Sequence, residues 1–259
     1  MPGSRFCTRI DEDCDEDFEL NNSAFAIIPA FNPPDALRSI AGSLKESTFT
    51  RVILIDDGSD ASFRALFDEL EALPHIEVLR HAVNLGKGAG LRTGMNHALN
   101  LDPDCVGVVT LDADGQHLIG DVEKVAAALR KYPKDLILGA RAGDGDIPLR
   151  SRVGNTLTRC LFRILAGQSL TDTQTGLRGI PLGFIPTLLH MTSPGYEFEL
   201  EMLLSCRQSG RALREVPIET VYIDNNRQSH FNPILDSMRI YFVLFRFAGE
   251  SHSGKEARK

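Results

Sequence analysis

Residues 106–116 read Val-Gly-Val-Val-Thr-Leu-Asp-Ala-Asp-Gly-Gln, an apolar, β-branched run that stops at two aspartates one residue apart. A short run that is apolar on both faces suits a strand buried inside a parallel sheet. Four more such runs precede or follow it, at 25–29, 52–55, 76–79 and 136–138. Between them lie 35–45, 62–73, 90–100 and 122–131, where apolar residues recur at three and four positions, as on one face of a helix. Strand and helix alternating in this way predict an α/β domain, a mostly parallel sheet with helices on both faces. No internal repeat at a fixed period interrupts the pattern.

Ligands of an open parallel sheet bind outside the carboxyl ends of its strands, so the residues after each run carry the chemistry. The first run ends in Pro29-Ala30-Phe31-Asn32, the second in Asp56-Asp57-Gly58-Ser59, and the third leads to Asn84-Leu85-Gly86-Lys87-Gly88. The fourth ends in Asp112-Ala113-Asp114-Gly115-Gln116. A strand's two-residue period puts Asp112 and Asp114 on one side, where two carboxylates repel unless a cation or hydrogen-bond donors compensate. Mg²⁺ typically takes one or two carboxylates plus substrate phosphates, and Gln116 offers a third oxygen. The alternative is an Asp-rich turn capping the next helix. Asp56 and Asp57 read either as a helix cap or as acceptors for a ribose or base. The glycines of 86–90 lack the GxxxxGK[ST] spacing of a phosphate loop; they read as a tight turn and close packing, with Lys87 near the ligand.

The chain of 259 residues, 42% of them hydrophobic, is long enough for one packed domain. Its net charge of -7 argues against bulk nucleic acid as a partner. Residues 1–23 contribute seven acids and two Arg to that total, without apolar periodicity, which predicts a disordered acidic leader. From Asp135 to Lys255 there is no Lys but twelve Arg, six of them between Arg141 and Arg178, a bias that suits bidentate phosphate contacts or is simply compositional. The five Cys form neither CxxC pairs nor an even framework and read as reduced thiols. The acidic run at 11–17 excludes a signal peptide there, and no window approaches the roughly 18 apolar residues of a membrane span. The expected location is the cytoplasm.

Taken in order, the motifs PAFN (29–32), DDGSD (56–60), NLGKGAG (84–90), LDADGQH (111–117), GAR (139–141), DTQTGLRG (172–179), YEFELEML (196–203) and EVPIETVYI (215–223) are specific. They resemble glycosyltransferase family 2, in the branch of dolichyl-phosphate mannose synthases and bacterial polyprenyl-phosphate sugar transferases. The resemblance spans about residues 24–245 and implies a single GT-A domain, a nucleotide-diphosphate sugar donor, Mg²⁺ or Mn²⁺, and inversion at the anomeric carbon. It implies that Pro29, Ala30, Asn32 and Asp57 hold the nucleoside, that Asp112 lies near the nucleotide, and that Asp114 and Gln116, with Asp112 beside them, form the metal site. Arg141 matches a phosphate-contacting Arg, Ser151 and Arg152 open the stretch that holds the acceptor phosphate, and Arg178 is either a phosphate ligand or structural. The sequence departs from the family pattern at Phe31 and Pro33, and again at 225–231. There Ser229 matches the pattern, His230 replaces a Lys, and Arg227 is displaced from the family position.

An anionic lipid phosphate needs no general base, and Arg152, Arg227 and Ser151 would bind it. A hydroxyl acceptor in cell-envelope polysaccharide or glycolipid synthesis would need one, and Asp172 is the candidate. Residues 233–247 carry Ile234, Leu235, Met238, Tyr241, Phe242 and Phe245 with Arg239 and Arg246, too short an apolar stretch to span a bilayer. The segment reads as an interfacial helix or as one packed on the domain or a partner. The expected organisation is a leader at 1–23, a GT-A domain at 24–231, an amphipathic C-terminal helix at 232–248 that touches the membrane periphery or a separate membrane protein, and a tail at 249–259. A non-catalytic nucleotide-sugar-binding protein is the reading from a different class.

Overall fold

The structure, a computed structural model, describes residues 21–44, 49–141, 170–173 and 175–219. Strands β1 (Asn21–Ala30), β2 (Arg51–Asp56), β3 (Ile76–Arg80), β4 (Cys105–Thr110) and β5 (Leu136–Arg141) coincide with the five apolar runs. Helices α1 (Ala36–Ser43), α2 (Arg64–Glu71), α3 (Lys87–Leu101) and α4 (Ile119–Lys131) coincide with the four periodic segments. Four further elements follow that hydropathy does not reveal: β6 (Arg178–Pro181), α5 (Ile185–Leu189), α6 (Glu197–Gln208) and β7 (Leu213–Ile218). Strand β1 includes Asn21, three residues before Ala24, where it pairs with Cys105 of β4. The acidic residues 1–20, Ser151, Arg152, Arg227, Ser229, His230 and the C-terminal segment 232–248 lie outside the described residues.

One seven-stranded sheet runs in the order β3-β2-β1-β4-β6-β5-β7. Its pairings are parallel except those of β6, which runs antiparallel to both β4 and β5. Alternation along β1 divides the core. Phe25 and Ile27 face α3, α5 and α6, packing with Leu91, Met95, Ile185 and Phe198. Ala24, Ala26 and Ile28 face α1, α2 and α4, packing with Leu37, Phe67 and Val125. Both faces are covered, which is why the strands are apolar throughout.

Successive strands β1, β2 and β3 step outward on one side, whereas β4 lies on the other side of β1. The winding therefore reverses between β1 and β4. The crevice beyond their carboxyl ends is where an open α/β sheet takes its ligand.

Candidate active site

The loops after β1 and β2 are tied to each other. Asn32, the one non-glycine residue at positive φ (47°) among the described residues, accepts the Asp60 N–H (2.8 Å) on its side-chain oxygen. Its Nδ2 donates to Asp60 (3.0 Å), and its backbone N–H donates to Ser59 Oγ (3.0 Å). Asn32 thus has its side chain committed to shaping the loop. Pro29 and Ala30 sit at the end of β1, where the Ala30 carbonyl accepts the Asp57 N–H (2.8 Å).

Asp57 is only 3% exposed, and its carboxylate faces inward. It accepts the backbone N–H groups of Leu85 (2.9 Å) and Gly86 (2.8 Å) and a hydrogen bond from His81 Nδ1 (2.6 Å). The other ring nitrogen of His81 lies 3.0 Å from Thr93 Oγ1 on α3. A carboxylate from the β2 loop therefore occupies the start of α3, the place where a phosphate would bind in a phosphate loop. The resemblance puts Asp57 beside a nucleoside; here its carboxylate accepts three hydrogen bonds from within the chain and fastens the segment that leads into α3. The glycines serve packing: Gly86 has φ 95°, and a Cβ on Gly88 would fall 2.6 Å from Phe198 Cβ and 2.8 Å from the Ser193 carbonyl.

That packing delivers Lys87 to the end of β4. Its ammonium lies 2.7 Å from Asp112 Oδ1 and 3.0 Å from Glu199 Oε2, with the Tyr196 ring centroid at 5.6 Å. Burial alone would lower the Lys87 pKa, but the two carboxylates more than offset it and hold the group charged. Burial would raise Asp112; Lys87 and His117 reverse that and hold it well below the usual carboxylate range. Asp114 moves the other way, raised by burial and by the Asp112 charge and opposed by the Gln116 N–H it accepts at 3.0 Å.

This asymmetry tests the fit of a divalent cation. Among the described residues no three His, Cys, Asp or Glu side chains converge to hold a metal alone. Lys87 engages one oxygen of Asp112, Oδ1, while Oδ2 lies 3.6 Å from His117 Nε2, so the charge of Asp112 is already largely balanced in this arrangement. Asp114 makes no ion pair among the described residues and lies two positions before Gln116, whose N–H it accepts and whose side chain carries an amide oxygen. One carboxylate and one amide suit an ion that completes its shell with phosphate oxygens and water.

At the end of β5, Arg141 Nε donates to Asp172, which is 1% exposed. Glu215 of β7 fixes the loop there, accepting the Thr171 N–H (2.6 Å), the Thr171 hydroxyl (3.0 Å) and, more weakly, the Asp172 N–H (3.4 Å). Asp172 is thus an ion-pair partner inside the protein. Arg178 is fully buried; its guanidinium donates to the carbonyls of Thr175 (3.0 Å), Thr173 (3.4 Å) and Glu199. Burial lowers its pKa, with Glu199 and Asp172 opposing. Of the two roles open for Arg178, the contacts are those of a strut, tying Thr173 and Thr175 to Glu199 on α6.

Sequence reasoning passed over Glu199, His81, Glu215 and Gly176. The signal for Glu199 was present: Glu197, Glu199 and Glu201 interrupt an apolar helix, yet are 5%, 7% and 4% exposed. Buried carboxylates need partners. Gly176 backs onto Asp112, and a Cβ there would lie 2.4 and 2.6 Å from the two carboxylate oxygens. Thr110 Oγ1 locks it by donating to the Gly176 carbonyl (2.8 Å). Gly176→Ala is therefore expected to displace Asp112 and lower sugar transfer about a hundredfold, since misplacement by an ångström costs that much. Steady-state rates alongside circular dichroism check it; unchanged rates in a folded variant would refute the contact.

The mostly parallel sheet, with paired aspartates beyond the end of β4, has the GT-A architecture of glycosyltransferases. Residues 25–178 match the family described as glycosyl transferase family 2, and the chain belongs to that family as a glycosyltransferase. It is 30% identical over 232 residues to an uncharacterized protein of Methanocaldococcus jannaschii, covering 87% of this chain and 93% of the relative. It is 27% identical over 244 residues to a UDP-N-acetylglucosamine–dolichyl-phosphate N-acetylglucosaminyltransferase of Methanococcus voltae, covering 87% and 96%. Glucosyl-3-phosphoglycerate synthase of Mycobacterium tuberculosis, solved with Mn²⁺, UDP and glucosyl-3-phosphoglycerate, superposes with a TM-score of 0.63 at 17% identity, covering 90% of this chain and 82% of that one. At that identity the likeness shows the fold alone.

Proposed function

We propose that the protein transfers a sugar from a nucleotide diphosphate to a polyprenyl phosphate, with inversion at the anomeric carbon. The observation that carries this reading is Asp172. The acid that a hydroxyl acceptor would need as its base is 1% exposed and paired with Arg141. A phosphate acceptor is already anionic at neutral pH and attacks without surrendering a proton, so a site whose candidate base is held in a buried ion pair suits it. The dolichyl-phosphate acceptor named for the Methanococcus voltae relative supports the same choice.

In this reading Asp114 and Gln116 would hold Mg²⁺ or Mn²⁺, which when bound neutralises charge developing on the leaving diphosphate. The chain's own residues do the rest. Lys87 holds Asp112 fixed, Asp57 and His81 hold the start of α3 that carries Lys87, and Asp172 holds the Arg141 guanidinium at the end of β5. No helix among the described residues is long and apolar enough to cross a membrane. We place the protein at the membrane periphery on the cytoplasmic side, where it meets its lipid acceptor.

The test is incubation of the purified protein with labelled nucleotide sugars and polyprenyl phosphate, with and without Mg²⁺ or Mn²⁺. A metal-dependent lipid-linked product is expected; no such product with any donor would overturn the acceptor assignment. Asp172→Asn sharpens it. Transfer should fall far less than the about 10²–10⁴ that loss of a general base costs. Abolished transfer with donor hydrolysis intact would instead favour a hydroxyl acceptor.

A further inference from the structure

Lys87 sits between two carboxylates that come from distant parts of the chain, Asp112 after β4 and Glu199 on α6. Glu199 is 7% exposed and cannot follow solvent; its backbone carbonyl is held by Arg178, whose Nε also lies 4.0 Å from Glu199 Oε1. Asp112 is constrained on one side, where Gly176 packs against its carboxylate. The ammonium is thus clamped rather than free to swing toward a ligand. A full positive charge is built in beside Asp112, whereas Asp114 accepts the Gln116 N–H but makes no ion pair among the described residues.

Resting on the proposed use of a divalent ion, we infer that Lys87 is the resident cation of this site and that Glu199 is its positioning residue. Lys87 balances the charge of Asp112 through Oδ1 and leaves Asp114, with Gln116, as the stronger seat for one divalent ion. The charges at positions 87 and 199 then set how tightly the ion is held. Glu199 acts through Lys87 and touches no substrate.

The two positions carry opposite charge, so neutral variants should move metal affinity in opposite directions, which general structural damage would not do. Titration of the full chain with Mn²⁺ alone, read by the electron paramagnetic resonance of the free ion, reports this without any donor. Lys87→Met unmasks Asp112 and should tighten Mn²⁺ binding about tenfold, while Glu199→Gln should weaken it by roughly threefold to tenfold, as expected for one unit charge several ångströms from the ion. Circular dichroism establishes that each variant is folded. Affinities that are unchanged, or that weaken in both variants, overturn the inference, as does the absence of Mn²⁺ binding in both the wild type and Lys87→Met. A wild type that binds Mn²⁺ with this pattern but makes no lipid-linked sugar supports the inference and overturns the acceptor assignment instead.

Discussion

Asp114→Asn is expected to lower kcat/KM by about 10²–10³, the loss seen when one preorganised electrostatic group is removed from a reacting centre. The same change should leave the protein as stable as before, or slightly more so. Burial and the neighbouring Asp112 charge raise the Asp114 pKa, and the Gln116 N–H offsets only part of that. A carboxyl that binds its proton more readily in the folded state contributes stability at low pH and loses it as pH rises through the raised pKa. At neutral pH its charge is therefore a cost, and the neutral amide removes it. Activity falling while the melting temperature holds or rises is the signature of a group retained for function. Rates with a saturating donor and thermal denaturation without one measure both halves. A variant that melts well below the wild type would mean that Asp114 is instead part of the scaffold.

Asp57→Ala should behave in the opposite way. It removes a buried carboxylate that receives the Leu85 N–H, the Gly86 N–H and His81 Nδ1, leaving three donors in a region with little water. Hydrogen bonds to charged groups contribute about 1.5–3 kcal/mol each and are not additive, so a loss of about 4 kcal/mol is expected. For a domain of this size that corresponds to a fall of roughly 8–16 °C in melting temperature. Activity falls too, because the loosened segment leads directly into Lys87. Urea unfolding checks the magnitude; a loss below about 1 kcal/mol would mean that water replaces the carboxylate.

The difference between these two aspartates explains what a single sequence can and cannot convey. Both follow an apolar run, and each reads from sequence either as a turn or helix cap or as a group that faces a ligand. The sequence locates them correctly at the ends of β2 and β4, because buried parallel strands are conspicuous as continuous apolar runs. It does not reveal that Asp57 is satisfied by residues 24 to 29 positions away, one of which, His81, lies in no motif. Arg178 is similar: its residue type suits a phosphate, but its partners are carbonyls that only the fold brings together.

The missed elements have equally definite causes. The four residues of β6, Arg178 to Pro181, include Gly and Pro, so they carry neither strand propensity nor alternation. Nearly every position from Glu197 to Cys206 on α6 is buried, so the helix has no polar face to reveal its period. The four helices that were legible each keep an exposed side.

The placement of β6 has a consequence for how the protein comes to be. β4 and β5 follow one another in the chain but are not neighbours in the sheet; β6, made later, lies between them. Until residues 178–181 have emerged from the ribosome, β5 has no route onto the sheet, and β4 presents an open edge of unpaired amides and carbonyls. Closure depends on contacts distant in sequence, the kind that form slowly and leave sticky intermediates. Asp112 after β4 and Arg141 at the end of β5 are brought into one crevice only by that insertion. A nascent chain stalled before Arg178 would therefore be aggregation-prone and chemically inert at once, so activity reports that assembly has been completed.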